Sequence, residues 1–217
     1  MPTTPDGRPV RGLTIDAMGC LVTLDDPVPR LRALVATTGE HRDDAALRAA
    51  LRIEIAHYKA HHAGAGDDAA LRVLQHECAA LVARELDLPG PVDDAFVDGF
   101  LDCLRFSVLP GVVPALERLR AAGVPMVVVS NWDRGLPVHL EDLGLSPFFA
   151  GVVTSGGVGV GKPDPRIFAP ALELLGLPAS VAAHLGDEDV DRDGAAAAGL
   201  AYLEPPVATL PDRIGVG

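Results

Sequence analysis

The chain has 217 residues, of which 48% are hydrophobic and only 4% aromatic, and its formal net charge is −12. This length suits one large domain, or a core domain carrying a smaller inserted one, with a core built mainly from Ala, Val and Leu. The negative charge argues against nucleic-acid binding, which needs a positive face. It still permits an anionic small-molecule substrate, because a bound cation can invert the local field.

Cysteine usage and the absence of long apolar runs indicate where the protein works. Cys20, Cys78 and Cys103 are scattered and form no CxxC pair, which is typical of a reducing compartment. The first dozen residues lack an apolar signal core, and no apolar run approaches the length of a membrane span. We therefore expect a cytoplasmic protein without a membrane partner. The sequence carries no signal for an oligomeric state.

The first predicted strand ends in an acid. The apolar run 12–15 is followed directly by Asp16 and then by a turn that contains Gly19. This pattern predicts a buried parallel strand that delivers a carboxylate to the carboxyl edge of an α/β sheet. Because ligands bind at that edge, Asp16 is the first candidate for a reacting group.

The next part of the chain has a helical pattern. From about residue 29 to residue 106, apolar residues recur at three- and four-residue spacing, with breaks at 64–68 and 88–91. We expect no strand in this stretch. The sequence therefore predicts a helical domain over residues 27–106, inserted into a core domain made of residues 1–26 and 107–217.

Beyond the helical stretch, predicted strands alternate with predicted helices. The predicted strands cover residues 124–129, 151–154, 181–185 and 200–203. The predicted helices cover residues 114–122, 136–143, 164–175 and 192–198. Alternation at this spacing indicates right-handed βαβ units, a parallel sheet and the α/β class.

Polar side chains follow four of these strands, and the carboxyl ends of parallel strands meet at one crevice. Besides Asp16, the ends carry Ser130 with Asn131, then Lys162, then two acids. A carboxylate nucleophile needs a cation that offsets the developing negative charge, and Lys162 supplies one. Ser130 and Asn131 can donate hydrogen bonds to an oxyanion.

The two acids of the fourth strand end are Asp187 and Asp191. Together with Asp16 they offer hard oxygen ligands, which suit Mg²⁺. A competing interpretation is that they are acids at a helix N-terminus, stabilised by the helix dipole. The two roles are compatible.

The ordered motifs resemble those of a known family. They are Asp16-x-x-Gly19, Ser130-Asn131, Lys162-Pro163-Asp164-Pro165 and Gly186-Asp187-x3-Asp191. Across nearly the whole chain, this order is similar to the four motifs of the haloacid dehalogenase superfamily. The resemblance implies a three-layer α/β sandwich with a parallel Rossmannoid sheet ordered 3-2-1-4-5. It also implies that the helical insert is an all-α type-1 cap.

The resemblance also implies roles for individual residues. Asp16 becomes the nucleophile that forms an aspartyl intermediate, Ser130 binds the transferred group, and Lys162 neutralises Asp16 and the substrate. Mg²⁺ is held by Asp16, Asp187, Asp191 and the backbone carbonyl of Met18. Gly19 and the cap residue Arg52 contact the substrate.

At Met18 the chain departs from the phosphatases of this superfamily, which carry a second aspartate there. That aspartate protonates the leaving group, and general acid–base help of this kind is worth about 10²–10⁴-fold. A substrate with a good leaving group suffers less from its loss. Cys20 also replaces the usual threonine, which removes a hydroxyl donor.

Three functions follow from these motifs. The main expectation is Mg²⁺-dependent hydrolysis of a small phosphorylated metabolite. The first alternative is metal-independent 2-haloacid dehalogenation, because halide leaves without protonation and Arg52 lies where dehalogenases carry a cap arginine. Against it, the acids of residues 186–191 favour a metal. The second alternative is a catalytically impaired relative that retains ligand binding.

Overall fold

A five-stranded parallel sheet forms the centre of the computed structural model, which describes residues 2–216. The strands of the chain are β1 (Gly12–Ile15), β2 (Val22–Leu24), β3 (Phe106–Val108), β4 (Met126–Ser130), β5 (Gly151–Thr154), β6 (Ala182–Leu185) and β7 (Ala201–Leu203). The sheet has the order β5-β4-β1-β6-β7. Counted along the core alone, this is the predicted order 3-2-1-4-5, which is confirmed. Every residue of β1, β4 and β6 is buried, as expected for strands covered on both faces.

Helices cover both faces of this sheet. The α-helices of the described residues are α1 (Val28–Thr37), α2 (Asp44–His61), α3 (Asp68–Glu85), α4 (Asp94–Leu101), α5 (Val112–Ala121), α6 (Leu136–Asp142), α7 (Ser155–Val158), α8 (Ala169–Leu175), α9 (Asp189–Ala198) and α10 (Leu210–Arg213). Those that cover the sheet are core helices, among them α5, α6, α8 and α9. Val128 packs with α5 and α6 on one face, whereas its neighbours Val127 and Val129 pack with α8 and α9 on the other. The predicted three-layer α/β sandwich is therefore confirmed.

The helices α1–α4 form the predicted all-α insertion. They have an apolar core of their own, built around buried residues such as Leu31, Leu47, Val82 and Phe100. Asp43, Asp67 and Asp93 cap α2, α3 and α4, since each carboxylate accepts a hydrogen bond from a backbone N–H of the first turn. Within residues 2–216, no helix combines the length and the hydropathy of a membrane span. The domain boundaries at 26/27 and 106/107 remain predictions.

The sequence analysis missed the short strands β2 and β3. They pair antiparallel, with Val22 opposite Val108 and Leu24 opposite Phe106, and they connect the insertion to the core. Three residues are too few for an alternation pattern. The pairing also depends on partners that the inserted helices separate in sequence, so local sequence carries no sign of it.

Two other elements differ from the predictions. The predicted helix 164–175 begins as a 3-10 turn over Pro165–Phe168 and becomes α-helical only in α8. The stretch after β5, for which the sequence predicted no helix, starts with the four-residue helix α7. Thr154 caps this helix, because its hydroxyl accepts a hydrogen bond from Gly157 N at 3.0 Å.

The insertion packs tightly against the core at Gly156 in α7. A Cβ atom at Gly156 would lie 2.9 Å from both Ala65 O and Asp133 Cα, which are backbone atoms on opposite sides of the junction. Close packing of these two backbones therefore requires a residue without a side chain at this position.

Replacing Gly156 with alanine should lower the free energy of unfolding by about 1–3 kcal/mol, because backbone atoms cannot move aside as a flexible side chain can. Gly157→Ala is the matched control in the same helix, since its Cβ would meet only Thr154 Oγ1, at 3.3 Å. Urea denaturation of both variants measures the difference. Equal stability of the two variants would show that the junction tolerates a methyl group.

Candidate active site

A buried ion-pair network lies at the carboxyl edge of the sheet. Lys162 Nζ is 2.7 Å from Asp16 Oδ1 and also donates to Asp191 Oδ1. All three side chains are buried. Burial alone would lower the pKa of Lys162, but Asp16 and Asp191 outweigh it and raise the pKa above its ordinary value. The ammonium group therefore remains charged beside the Asp16 carboxylate.

A second row of hydrogen bonds holds Asp191 in place. His184 Nε2 lies 2.9 Å from Asp191 Oδ1, and His184 Nδ1 lies 2.9 Å from the Thr14 hydroxyl. Because the carboxylate can only accept, His184 donates through Nε2 and accepts from Thr14 through Nδ1. Burial lowers the pKa of His184, so the ring is neutral. Asp191 Oδ2 also accepts from the backbone N–H of Glu188 at 3.0 Å, at the start of α9.

The two polar residues at the end of β4 have different positions. Asn131 Nδ2 donates to Lys162 O at 2.9 Å, and Asn131 Oδ1 accepts from Lys162 N at 2.6 Å. Asn131 thus clamps the backbone of the residue that supplies the cation. Ser130 is buried at the end of β4, which pairs directly with β1.

A group with the spacing of metal ligands lies beside this network. The ligand atoms of Asp16, Cys20 and Asp187 all lie within 4.8 Å of one another. Gly19 has φ +74°, and a Cβ there would lie 2.2 Å from Asp187 Oδ2, so its missing side chain makes room for this carboxylate. Partial burial, then Asp16 and Asp191, raise the pKa of Asp187, because nearby negative charge disfavours its ionised form. A divalent cation would relieve this repulsion, and carboxylate oxygens fit Mg²⁺.

Asp191, predicted as a metal ligand, lies outside that group. Its oxygens already accept from Lys162, from His184 and from the backbone of Glu188. The structure thus brings together Asp16, Lys162, Asp187 and Asp191. Within this set, Asp191 contacts Lys162 and does not belong to the group of Asp16, Cys20 and Asp187. Its predicted place in the metal shell remains a prediction.

The sequence analysis did not identify His184 as part of this site, and it noted Cys20 only as the loss of a hydroxyl donor. A histidine in a fully buried strand, two residues before Gly186-Asp187, was the available signal for His184. Cys20 is buried, and its thiol points towards Asp187 Oδ1 at 3.8 Å. Burial, followed by the charges of Asp16 and Asp187, raises the pKa of the Cys20 thiol far above its ordinary value.

Met18 and Arg52 differ in exposure. Met18 is partly buried and packs against the core, so position 18 carries no proton donor. Arg52 is exposed on α2, and its predicted substrate contact remains a prediction.

Cap side chains reach the core from the end of α2, from the turn after it and from the start of α3, where Asp68 pairs with Arg134. Tyr58 Oη donates to Asp133 Oδ2 at 2.8 Å, and His62 Nδ1 lies 2.6 Å from Ser155 Oγ. Lys59 Nζ is 2.8 Å from Glu188 Oε1, next in the chain to Asp187. The helical insertion is therefore closed over the crevice. The sequence analysis named none of these contacts, because each joins residues far apart in the chain.

We expect Asp191→Asn to lower the free energy of unfolding by about 2–3 kcal/mol, less than the 3–5 kcal/mol for a fully orphaned buried charge, because Lys162 still faces Asp16. Asp193→Asn is the matched control: its carboxylate is exposed, in an ion pair with Arg192, and should cost less than about 1 kcal/mol. Urea denaturation at neutral pH gives both values. Similar losses for the two variants would mean that the buried pair does not depend on Asp191.

Comparisons with known proteins agree with this geometry. A family model described as haloacid dehalogenase-like hydrolase matches residues 10–199. Over 111 residues the chain is 41% identical to haloacid dehalogenase-like hydrolase domain-containing protein 3 of Mus musculus, covering 51% of this chain and 44% of the relative. Over 125 residues it is 38% identical to a phosphoglycolate phosphatase of Caulobacter vibrioides, covering 53% of each. The chain therefore spans about half the length of these curated relatives.

A solved structure shares the fold over most of the chain. The 2-haloacid dehalogenase of Pseudomonas syringae pv. Tomato superimposes with a TM-score of 0.64 at 22% identity, covering 95% of this chain and 98% of that one. Identity this low supports the shared fold alone. Because the family match extends over residues 10–199, the chain belongs to the haloacid dehalogenase-like hydrolases.

Proposed function

We propose that this hydrolase cleaves a small phosphorylated metabolite in a Mg²⁺-dependent reaction, with Asp16 as the nucleophile. The observation that carries the proposal is the buried Asp16–Lys162 pair at 2.7 Å, with a second carboxylate, Asp187, close to Asp16. A buried carboxylate nucleophile beside a fixed cation is suited to attack on an anionic group.

Each polar residue of the pocket has a proposed part in this reaction. Lys162 holds Asp16 Oδ1, so the other carboxylate oxygen is the one that attacks and forms the aspartyl intermediate. The Lys162 ammonium offsets charge on the transferred group. Ser130 donates to that group, and Asn131 keeps Lys162 in position through its two backbone contacts. Bound Mg²⁺, held by Asp16, Asp187 and the Met18 carbonyl, would supply further charge neutralisation.

Closure of the cap and the residue at position 18 together restrict the substrate. Tyr58 and His62 hold the helical domain, proposed as residues 27–106, against the core, and a closed lid excludes water. Met18 cannot protonate a departing alkoxide. We therefore propose an anionic substrate whose leaving group is already a weak base, such as an acyl phosphate. Three free, buried cysteines support a reducing, cytoplasmic setting.

Electrostatics favours the phosphatase over the dehalogenase alternative. Without a cation, the Asp187 carboxylate close to Asp16 would repel the carboxylate of a 2-haloacid from the nucleophile. With a cation bound, the same two acids help to hold a phosphate. Arg52, which the alternative places at the leaving group, is exposed on α2.

The test is a panel of acyl phosphates, alkyl phosphomonoesters and 2-haloacids, each assayed with Mg²⁺ and with a chelator. We expect turnover of acyl phosphates that the chelator abolishes and that falls at least about 10³-fold in Asp16→Asn, because the nucleophile is lost. Asp193→Asn, with an exposed carboxylate, should retain full activity. Haloacid turnover that survives the chelator would establish the dehalogenase instead, and inactivity on the whole panel would favour the impaired relative.

Met18→Asp should restore the missing acid and raise kcat on alkyl phosphomonoesters by about 10²-fold or more, within the usual range of general acid catalysis. Acyl phosphates should gain much less, since their leaving group needs no proton. Met18→Asn is the control, because it has the shape of aspartate without an acidic proton. If the Asp and Asn variants behave alike, protonation at position 18 does not limit the reaction.

A further inference from the structure

We propose that Cys20 turns the acidic cluster into a binding site for a thiophilic divalent cation, such as Zn²⁺ or Cd²⁺. The ligands would be the Cys20 sulfur and one carboxylate oxygen each from Asp16 and Asp187. The site overlaps the proposed Mg²⁺ site but adds a soft donor that Mg²⁺ does not use.

The distance between the Cys20 sulfur and the Asp187 carboxylate fits such a cation. Cys20 Sγ lies 3.8 Å from Asp187 Oδ1. Two ligands at the usual zinc–sulfur and zinc–oxygen distances, at a tetrahedral angle, lie about 3.6 Å apart. The ligand atom of Asp16 is within 4.8 Å of the other two. Three protein ligands with the fourth position open is a common arrangement for zinc.

The surroundings of the thiol also fit this role. Cys20 is only 1% exposed, and part of its surroundings is apolar. Its sulfur also faces Asp187, whose side chain is exposed to solvent in the crevice. Gly19 lets the Asp187 carboxylate approach, as a Cβ there would overlap it. On binding, the S–H bond breaks, a sulfur–metal bond forms, and the proton passes to solvent.

The other two cysteines lie in different surroundings. Cys103 Sγ donates to the carbonyl of Gly99 at 3.2 Å inside the helical domain. Cys78 belongs to the apolar core of that domain. Within residues 2–216, the group at Asp16, Cys20 and Asp187 is the one with three ligands at metal spacing. Cys103 is therefore a suitable control for non-specific thiol binding.

A functional consequence rests on the proposed function. If the reaction needs Mg²⁺ at Asp16 and Asp187, a cation bound through Cys20 takes the same two carboxylates and displaces Mg²⁺. Thiophilic cations should then inhibit the Mg²⁺-dependent reaction, and Cys20→Ser should relieve the inhibition while keeping the two carboxylates.

The binding test uses Cd²⁺ titration of the full chain, followed by the ultraviolet charge-transfer absorption of a cadmium–thiolate bond. We expect one equivalent to bind the wild-type chain with this absorption, Cys103→Ser to keep it and Cys20→Ser to lose it. Zn²⁺ affinity, measured by competition with a chromophoric chelator, should fall in Cys20→Ser by more than the 10- to 100-fold that loss of an outer-shell contact costs.

Asp187→Asn provides a second variant, because the exposed side chain of Asp187 can change without disturbing the core. Circular dichroism checks the fold of every variant. Asp187→Asn should keep the thiol but weaken Cd²⁺ binding at least about tenfold. Absence of the absorption in the wild type, or its persistence in Cys20→Ser, would overturn the proposal. The absorption does not depend on turnover, so an inactive wild type that binds Cd²⁺ through Cys20 would contradict the proposed function and leave this site intact.

Discussion

The burial of one ammonium group between two carboxylates is the constraint on which the site depends. A lysine removed from water is costly unless opposite charges and hydrogen bonds surround it. Lys162 meets this condition through Asp16 on one side and Asp191 on the other. The surrounding polar groups also require hydrogen-bond partners. His184 donates to Asp191, the Thr14 hydroxyl donates to His184, and Asn131 accepts from the backbone N–H of Lys162. The outcome is that the carboxylate of Asp16, the proposed nucleophile, is held by a lysine whose own position is fixed by Asp191 and Asn131.

The same network leaves an electrostatic imbalance at its open side. Three carboxylates, those of Asp16, Asp187 and Asp191, face the single ammonium of Lys162, and His184 is neutral because it is buried. When all three acids are ionised, two negative charges remain without a partner. A divalent cation is the natural complement of this deficit, whether a hard cation held by oxygen alone or a soft one that also uses the Cys20 sulfur.

The polar contacts that close the cap lie beside the ion-pair network of Asp16, Lys162 and Asp191. They do not involve the hydrophobic core of the cap. Tyr58 and His62 bond to the segments that follow β4 and β5, and Lys59 reaches the segment that carries Asp187. The apolar cores of the cap and of the sheet are separate clusters, so these polar contacts can open while both cores remain intact. Lids that are held by a few hydrogen bonds can open without loss of the surrounding fold.

The strand order followed from the resemblance of the four motifs to a known family, whereas the sequence by itself determined the α/β class, the inserted helices and the four polar strand ends. Each of these has a local signature, namely an apolar run, a helical period or a polar residue after a strand. Tertiary structure alone decided which polar groups meet. Asp191 pairs with Lys162, while Cys20 contacts Asp187. In the sequence, Thr14 and His184 have no feature that distinguishes them from other strand residues, and only the pairing of β1 with β6 brings them together. The antiparallel pair of β2 and β3 could not be predicted for the same reason, because its two strands are separated in sequence by the whole insertion. Contacts between distant residues leave no periodic trace in one sequence, and these contacts set the chemistry of the site.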